Sequence, residues 1–189
     1  MKRKAKIHRE INPFTMAVIS SVDENGNPIS YILEEHAEYI SKSLPSKVID
    51  AACMFFGSSL RGRQEGTREI SGLTHKAPIS IDPGSGMYFF PTISPTNPRC
   101  SWISHSHIEK TMPMEDGKSK LMFKNGKAVI LDVSYGSLIN QINRTAQFRF
   151  LLDKRIKSMK NELLAERIDP AKYRPENVIE TDEQDDHQK

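Results

Sequence analysis

Between Thr67 and Val133 the sequence breaks into short β-type runs, "TREISGLTH", "PISID", "MYFFPTI", "CSWISHSHI", "KLMFK" and "KAVILDV", separated by "DPGSG", "SPTNP", "MEDGK" and "NG". Apolar runs this short, bounded by Gly, Pro, Asn and Asp, are strands joined by tight turns. The stretch therefore predicts a largely antiparallel sheet or a small barrel, with Asn125-Gly126 as the clearest two-residue hairpin turn.

The flanks fit the same fold. Upstream, "FTMAVISSV" and "ISYILEE" surround "DENGNP" and read as a further hairpin. Next, "SKVIDAACMFF" sets Val48, Ala52 and Phe55 beside Ile49, Cys53 and Phe56 at helical spacing, with Ser46 as N-cap and Gly57 as C-terminal stop. Beyond Ser137, the residues Leu138, Ile142, Ala146, Leu152, Ile156, Met159 and Leu163 recur at steps of three and four, with Arg149 filling the one gap. That stripe predicts a long helix of about 25–30 residues, ended by Pro170. Its opposite face carries Asn140, Asn143, Arg144, Gln147, Lys154 and Arg155. The expectation is an α+β fold, with a short helix before the sheet and a long C-terminal helix after it. It divides as a basic arm over 1–10, one folded domain over 11–168 and an acidic, disordered tail over 169–189.

The 189 residues suit one core rather than two, and no apolar run approaches the roughly 20 residues of a membrane span. The basic opening followed by "FTMAVISSV" imitates a secretion signal, but serines interrupt the apolar run and "DENGNP" stands where a cleavage site belongs. Cys53 and Cys100 lack CxxC spacing and fit reduced, buried thiols in a cytoplasm. Charge is uneven: the last fifteen residues hold six carboxylates against Lys189, a net of −5, so a chain of +3 overall leaves Met1–Arg174 at +8. A basic body suits a polyanionic partner, although the tail alone is equally a solubility device.

"FFGSSLRGRQEG" tests what kind of phosphate that partner carries. Gly57-x-x-x-x-Gly62-Arg63-Gln64 nearly spells a P-loop but lacks the lysine and the hydroxyl residue, and it is approached by a helix and left by a β-type run. What remains is a flexible Gly- and Ser-containing loop with Arg61, Arg63 and Arg68, suited to a nucleic-acid backbone or to solvent. In "CSWISHSHIEK", strand alternation would put His105 and His107 on one face. A zinc site from Cys53, His75, Cys100, His105 and His107 is conceivable, but no local ligand spacing supports it, and structural histidines are the simpler reading. A zinc-dependent enzyme or zinc-stabilised interaction module is the alternative function. Cys53 with a distant histidine could also be a nucleophile, as in any chain holding both. No cofactor is expected.

The strings "CMFFGSSLRGRQEGT", "THKAPISIDP", "FFPTISPTNPRCSWISHSHI", "FKNGK", "SYGS" and "NQINRTAQFR" resemble, in order and interval, the ComK family of competence transcription factors of Gram-positive bacteria. The resemblance covers about Cys53–Arg149. It implies a non-enzymatic, sequence-specific activator of DNA-uptake and recombination genes. Such a protein binds paired A/T-rich promoter boxes chiefly through the minor groove, as a homodimer or dimer of dimers. Some members are delivered to a Clp protease by the adaptor MecA through C-terminal features, which "DPAKYRPENVIE" does not clearly reproduce.

The resemblance supplies no residue map, so the expected DNA contacts come from charge and position. They are Arg61, Arg63 and Arg68 first, Lys76 and Arg99 next, then Arg144 and Arg149, the last equally suited to an internal salt bridge. A narrow A/T-rich minor groove attracts such side chains. The second geometry lays Asn143, Arg144 and Gln147 in a major groove. The sequence shows no convincing helix-turn-helix.

Overall fold

The computed structural model describes residues 11–168, so the basic arm, the acidic tail and the C-terminal adaptor features lie outside the described residues. Strands β1 (Thr15–Val22), β2 (Pro28–Glu34) and β3 (Glu38–Ser41) lead into helices α1 (Pro45–Phe55) and α2 (Leu60–Ser71). Strands β4 (Ile79–Asp82), β5 (Met87–Pro91) and β6 (Trp102–Ser104) follow, then a 3-10 turn over His105–His107. After them come β7 (Ile108–Pro113), β8 (Ser119–Phe123), β9 (Ala128–Leu131) and α3 (Tyr135–Ile168).

The fold is α+β, built on two open antiparallel sheets rather than a barrel. One has six strands in the order β3-β2-β1-β6-β5-β4, and the other three in the order β7-β8-β9. The pairing of Ala17 with Ile103 and Val18 with Trp102 joins the two halves of the larger sheet. Its central strands are buried on both faces, which is why "MYFF" reads as a continuous apolar run. Val18, Phe89 and Trp102 enter one core with Ile49 and Cys53 of α1, while their neighbours Ala17, Phe90 and Ile103 enter a second core. Leu121 and Phe123 of β8 and Leu138 of α3 complete that second core. The chain divides into two compact units at Asp153–Lys154, within α3. In the second unit Met159, Leu163 and Leu164 are exposed.

Several local expectations change. Helix α1 starts with Pro45 in its first turn and without a side-chain cap; Ser46 instead donates to the Pro95 carbonyl at 2.8 Å and accepts from Trp102 Nε1 at 3.2 Å. A proline there has no N–H to leave unpaired. Gly57 does stop the helix. At φ +73° it bonds to the Met54 carbonyl, while Ser58 N–H reaches that of Cys53, the paired closure that a left-handed residue permits.

The larger correction is α2. The stretch read as a flexible loop, together with the first half of "TREISGLTH" read as β, is one helix. Ser59 Oγ accepts from Gly62 N–H at 3.0 Å and Gly72 at φ +71° ends the helix. Two interior glycines cost about 1 kcal/mol each in propensity and mask the helix in the sequence. The two caps and a stripe of Leu60, Arg63, Thr67 and Ile70 offset them, with Thr67 fully buried and donating to the Pro78 carbonyl at 2.6 Å.

The hairpin turns also differ. Gly126 N–H bonds to the Phe123 carbonyl and Phe123 N–H to that of Lys127, and only Gly126, not Asn125, has positive φ. A two-residue type I′ turn needs positive φ at both residues, so this is a three-residue loop whose glycine takes the left-handed position. The same closure recurs at Gly26 and Gly117.

In α3 the buried stripe runs Leu138, Gln141, Thr145 and Phe148, while Ala146 is exposed. Two polar side chains hold the buried positions, so an apolar-only pattern drifts off the true face.

Candidate nucleic-acid interface

Of the seven cations expected to meet DNA, three are engaged by the fold, Arg63, Arg144 and Arg149, and two, Arg61 and Arg99, only by exposed ion pairs. Arg63 donates to the Phe56 carbonyl at 3.0 Å, closing the end of α1, and its Nε is buried with no partner. Arg144 donates to Gln141 Oε1 at 3.0 Å and to the His75 carbonyl. Arg149 reaches Ser106 Oγ at 3.2 Å, lies 5.0 Å from the Tyr88 ring centre and approaches Asp153 at 3.9 Å, so it serves the internal role that its place in the stripe allowed. Arg99 pairs with Asp132 at 2.7 Å on the surface. Arg61 pairs with Glu65 at 2.9 Å, four residues on, an exposed contact worth little in water.

Arg68 is exposed, and Lys76 is half-buried at φ +47° with its carbonyl bonded by Gln141. Arg61 and Arg68 stand two helical turns apart on one face of α2, interleaved with Glu65 and Glu69, so this face has no net charge. Two of the first-turn N–H groups that would cradle a phosphate are also occupied, Leu60 N–H by Asp50 at 2.8 Å and Gly62 N–H by Ser59.

A cationic surface absent from the sequence expectation lies on the three-stranded sheet. Residues opposite one another in an antiparallel pair share a face. The register sets Lys110, Met122 and Ala128 in one row and Met112, Lys120 and Ile130 in the next. The other face takes Leu121 and Phe123 into the core. "SKLMF" held the signal, since period-2 alternation puts Lys120 and Met122 opposite Leu121 and Phe123.

The His and Cys residues do not converge. Strand β6 ends at Ser104, so His105 and His107 sit on a 3-10 turn, where strand alternation does not apply. His107 Nδ1 bonds to Ser104 Oγ at 2.8 Å and its Nε2 lies 3.4 Å from Glu35, whereas His105 Nδ1 is buried without a partner. His75 is exposed. Among the described residues, no group of three or more His, Cys, Asp or Glu is placed to hold a metal ion. Burial pushes both thiols up to about 11, the reverse of what a cysteine nucleophile needs. None of the helices in the described residues is long and apolar enough to cross a membrane.

Burial also lowers the imidazole of His105, helped by Arg149 and Lys124, and lowers that of His107 against the opposing pull of Glu35. A histidine held neutral in the fold leaves the unfolded chain binding more protons below its ordinary value of about 6.5. Stability is therefore full above that pH and is lost as pH falls through the window beneath it, by at most about 1.4 kcal/mol per pH unit for each histidine. Urea midpoints measured from pH 7.5 to 5 should fall in that window, and His105→Gln should flatten the fall. An unchanged slope in the variant would remove His105 from the account.

The sequence matches the family model for the ComK protein over residues 6–157. The chain belongs to the ComK family. It is 39% identical over 147 residues, 78% of this chain and 76% of the relative, to a protein of Bacillus subtilis (strain 168) described as a competence transcription factor. No solved structure matches the sequence. The ComK match extends beyond Cys53–Arg149 to take in the N-terminal hairpin, and it includes both α2 and the three-stranded sheet.

Proposed function

We propose that this ComK-family protein is a DNA-binding transcriptional activator of competence genes. It recognises paired A/T-rich promoter boxes, chiefly through the minor groove, as a homodimer or dimer of dimers in the cytoplasm at the nucleoid. Family membership across 6–157 carries the reading, supported by a relative described as a competence transcription factor. The basic body agrees with it: Met1–Arg174 holds +8 when the acidic tail is set aside. A narrow A/T-rich minor groove concentrates negative potential, while its donor and acceptor pattern distinguishes A·T from G·C and little more. Delivery to a Clp protease by an adaptor is a further expectation, resting on the family alone.

Fluorescence anisotropy on a duplex with paired A/T-rich boxes and on a G·C-substituted control, across a salt series, tests the reading. Preference for the boxes that persists as salt rises is the expected result. Equal binding to both that vanishes with salt would leave only a basic protein and overturn the activator assignment.

A further inference from the structure

The solvent face of the β7–β9 sheet carries Lys110, Lys120, Met112, Met122, Ala128 and Ile130, and no carboxylate stands in its two rows. Glu109 falls at the register shift between Ile108 and Lys110, outside those rows. Of the acids at the margins, Asp116 is matched by Lys118 at 2.8 Å and Asp132 by Arg99 at 2.7 Å, while Glu109 and Glu115 are exposed and leave the two rows themselves cationic. Lys110, Lys120 and the adjacent exposed Lys124 form no ion pair among the described residues. Lys110 and Lys120 are diagonal neighbours, roughly 7–8 Å apart at Cα. The face is also apolar between its charges, with Ile130 58% exposed.

Edge protection accounts for a lysine on β7, but Lys120 lies on the central strand, where there is no edge to protect. A second copy docked on this face about a two-fold axis would bring lysines against lysines, and like-charge juxtaposition at an interface costs several kcal/mol. A polyanion meets no such penalty.

We infer that this sheet face, not α2, is the surface laid against duplex DNA. Lys110 and Lys120 meet phosphates, and Met112, Met122 and Ile130 form the apolar contact between them. Antiparallel strands read DNA in either groove, and apolar side chains at such surfaces wedge against bases and sugars. The inference rests on the DNA-binding reading above and names the part of the molecule that carries it.

The test compares salt slopes of the full chain on the A/T-box duplex for the parent, K110Q/K120Q, K110R/K120R and K42Q/K47Q. The last changes two exposed lysines on and before α1. Each phosphate contact removed lowers the slope of log affinity against log salt by about 1. K110Q/K120Q should therefore lose about 2 in slope and, at physiological salt, about tenfold or more in affinity. K110R/K120R, which keeps both charges, and K42Q/K47Q should match the parent, with thermal melts confirming that all are folded. If K110Q/K120Q fails to fold, K110R/K120R and single K110Q on the edge strand are read in its place, the single variant losing about 1 in slope. A parental slope in the Gln variants would overturn the assignment of this face while leaving DNA binding intact. That slope combined with an altered oligomer mass by light scattering would make the face a self-association surface and overturn the assignment equally. A parent with no duplex preference would bring down the function itself, whatever the variants do.

Discussion

Replacing Trp102 with alanine is expected to lower the unfolding free energy by about 3–5 kcal/mol, the range for removing a large buried aromatic side chain. The position explains the size. Trp102 is fully buried, and β6 pairs with β1 on one side and β5 on the other, so the residue lies at the seam between the halves of the larger sheet. Its ring packs in the core that α1 supplies with Ile49 and Cys53, and its Nε1–H meets the hydroxyl that in turn donates to the Pro95 carbonyl. Trp102→Phe keeps much of the volume and loses that hydrogen bond and one ring, for about 1–2 kcal/mol. Circular dichroism during urea and thermal unfolding measures both, with a fall of roughly 10 °C or more in Tm for the alanine variant. A loss below about 1 kcal/mol for alanine would mean that the sheet halves are held together elsewhere.

Much of this architecture was legible because its strands and helices follow simple periods. The first hairpin, α1 with its Gly57 stop, the antiparallel meanders and the long last helix all emerge from alternation, helical spacing and turn residues. Helix α2 did not, because Gly62 and Gly66 lower local helix propensity, and only tertiary burial of Thr67 and capping by Ser59 restore it. The same misreading made a loop of the arginines. Once they sit on a helix packed against α1, Arg63 becomes a cap for its neighbour, a role that no one-dimensional pattern encodes.

The candidate interface was less legible for a related reason. An arginine in a sequence looks available, and whether it is spent on a backbone carbonyl, as Arg144 is, depends on what folds beside it. The sheet lysines present the opposite case. Each is unremarkable in its own strand, and the two-row surface arises only when β7, β8 and β9 align in register. Cross-strand register depends on non-local pairing, so it is invisible to a residue-by-residue search for basic clusters.

Gln141 yields the second large effect, because one buried amide ties two separate segments, the Lys76 turn and the end of β5, to α3. It is 3% exposed, and its amide donates to the Pro91 carbonyl at 2.8 Å and to that of Lys76 at 3.1 Å, while its oxygen accepts from Arg144. Gln141→Ala leaves those carbonyls without their donor and opens a void, for an expected loss of about 2–4 kcal/mol. Gln141→Leu separates the two causes. It restores the volume but no donor, so it should recover little of the loss if hydrogen bonding dominates, and most of it if packing does. In a double-mutant cycle, Gln141→Ala with Arg144→Ala should cost less than the two single losses together, by about 0.5–3 kcal/mol, since the pair acts on one loop. Arg144→Ala also divides structure from function. If Arg144 serves chiefly to hold the His75–Lys76 turn, the variant loses stability in urea while its salt slope on A/T-box duplex stays parental. A slope lower by about 1 would instead return Arg144 to the DNA-contact surface and show that its bond to the His75 carbonyl yields when the duplex arrives.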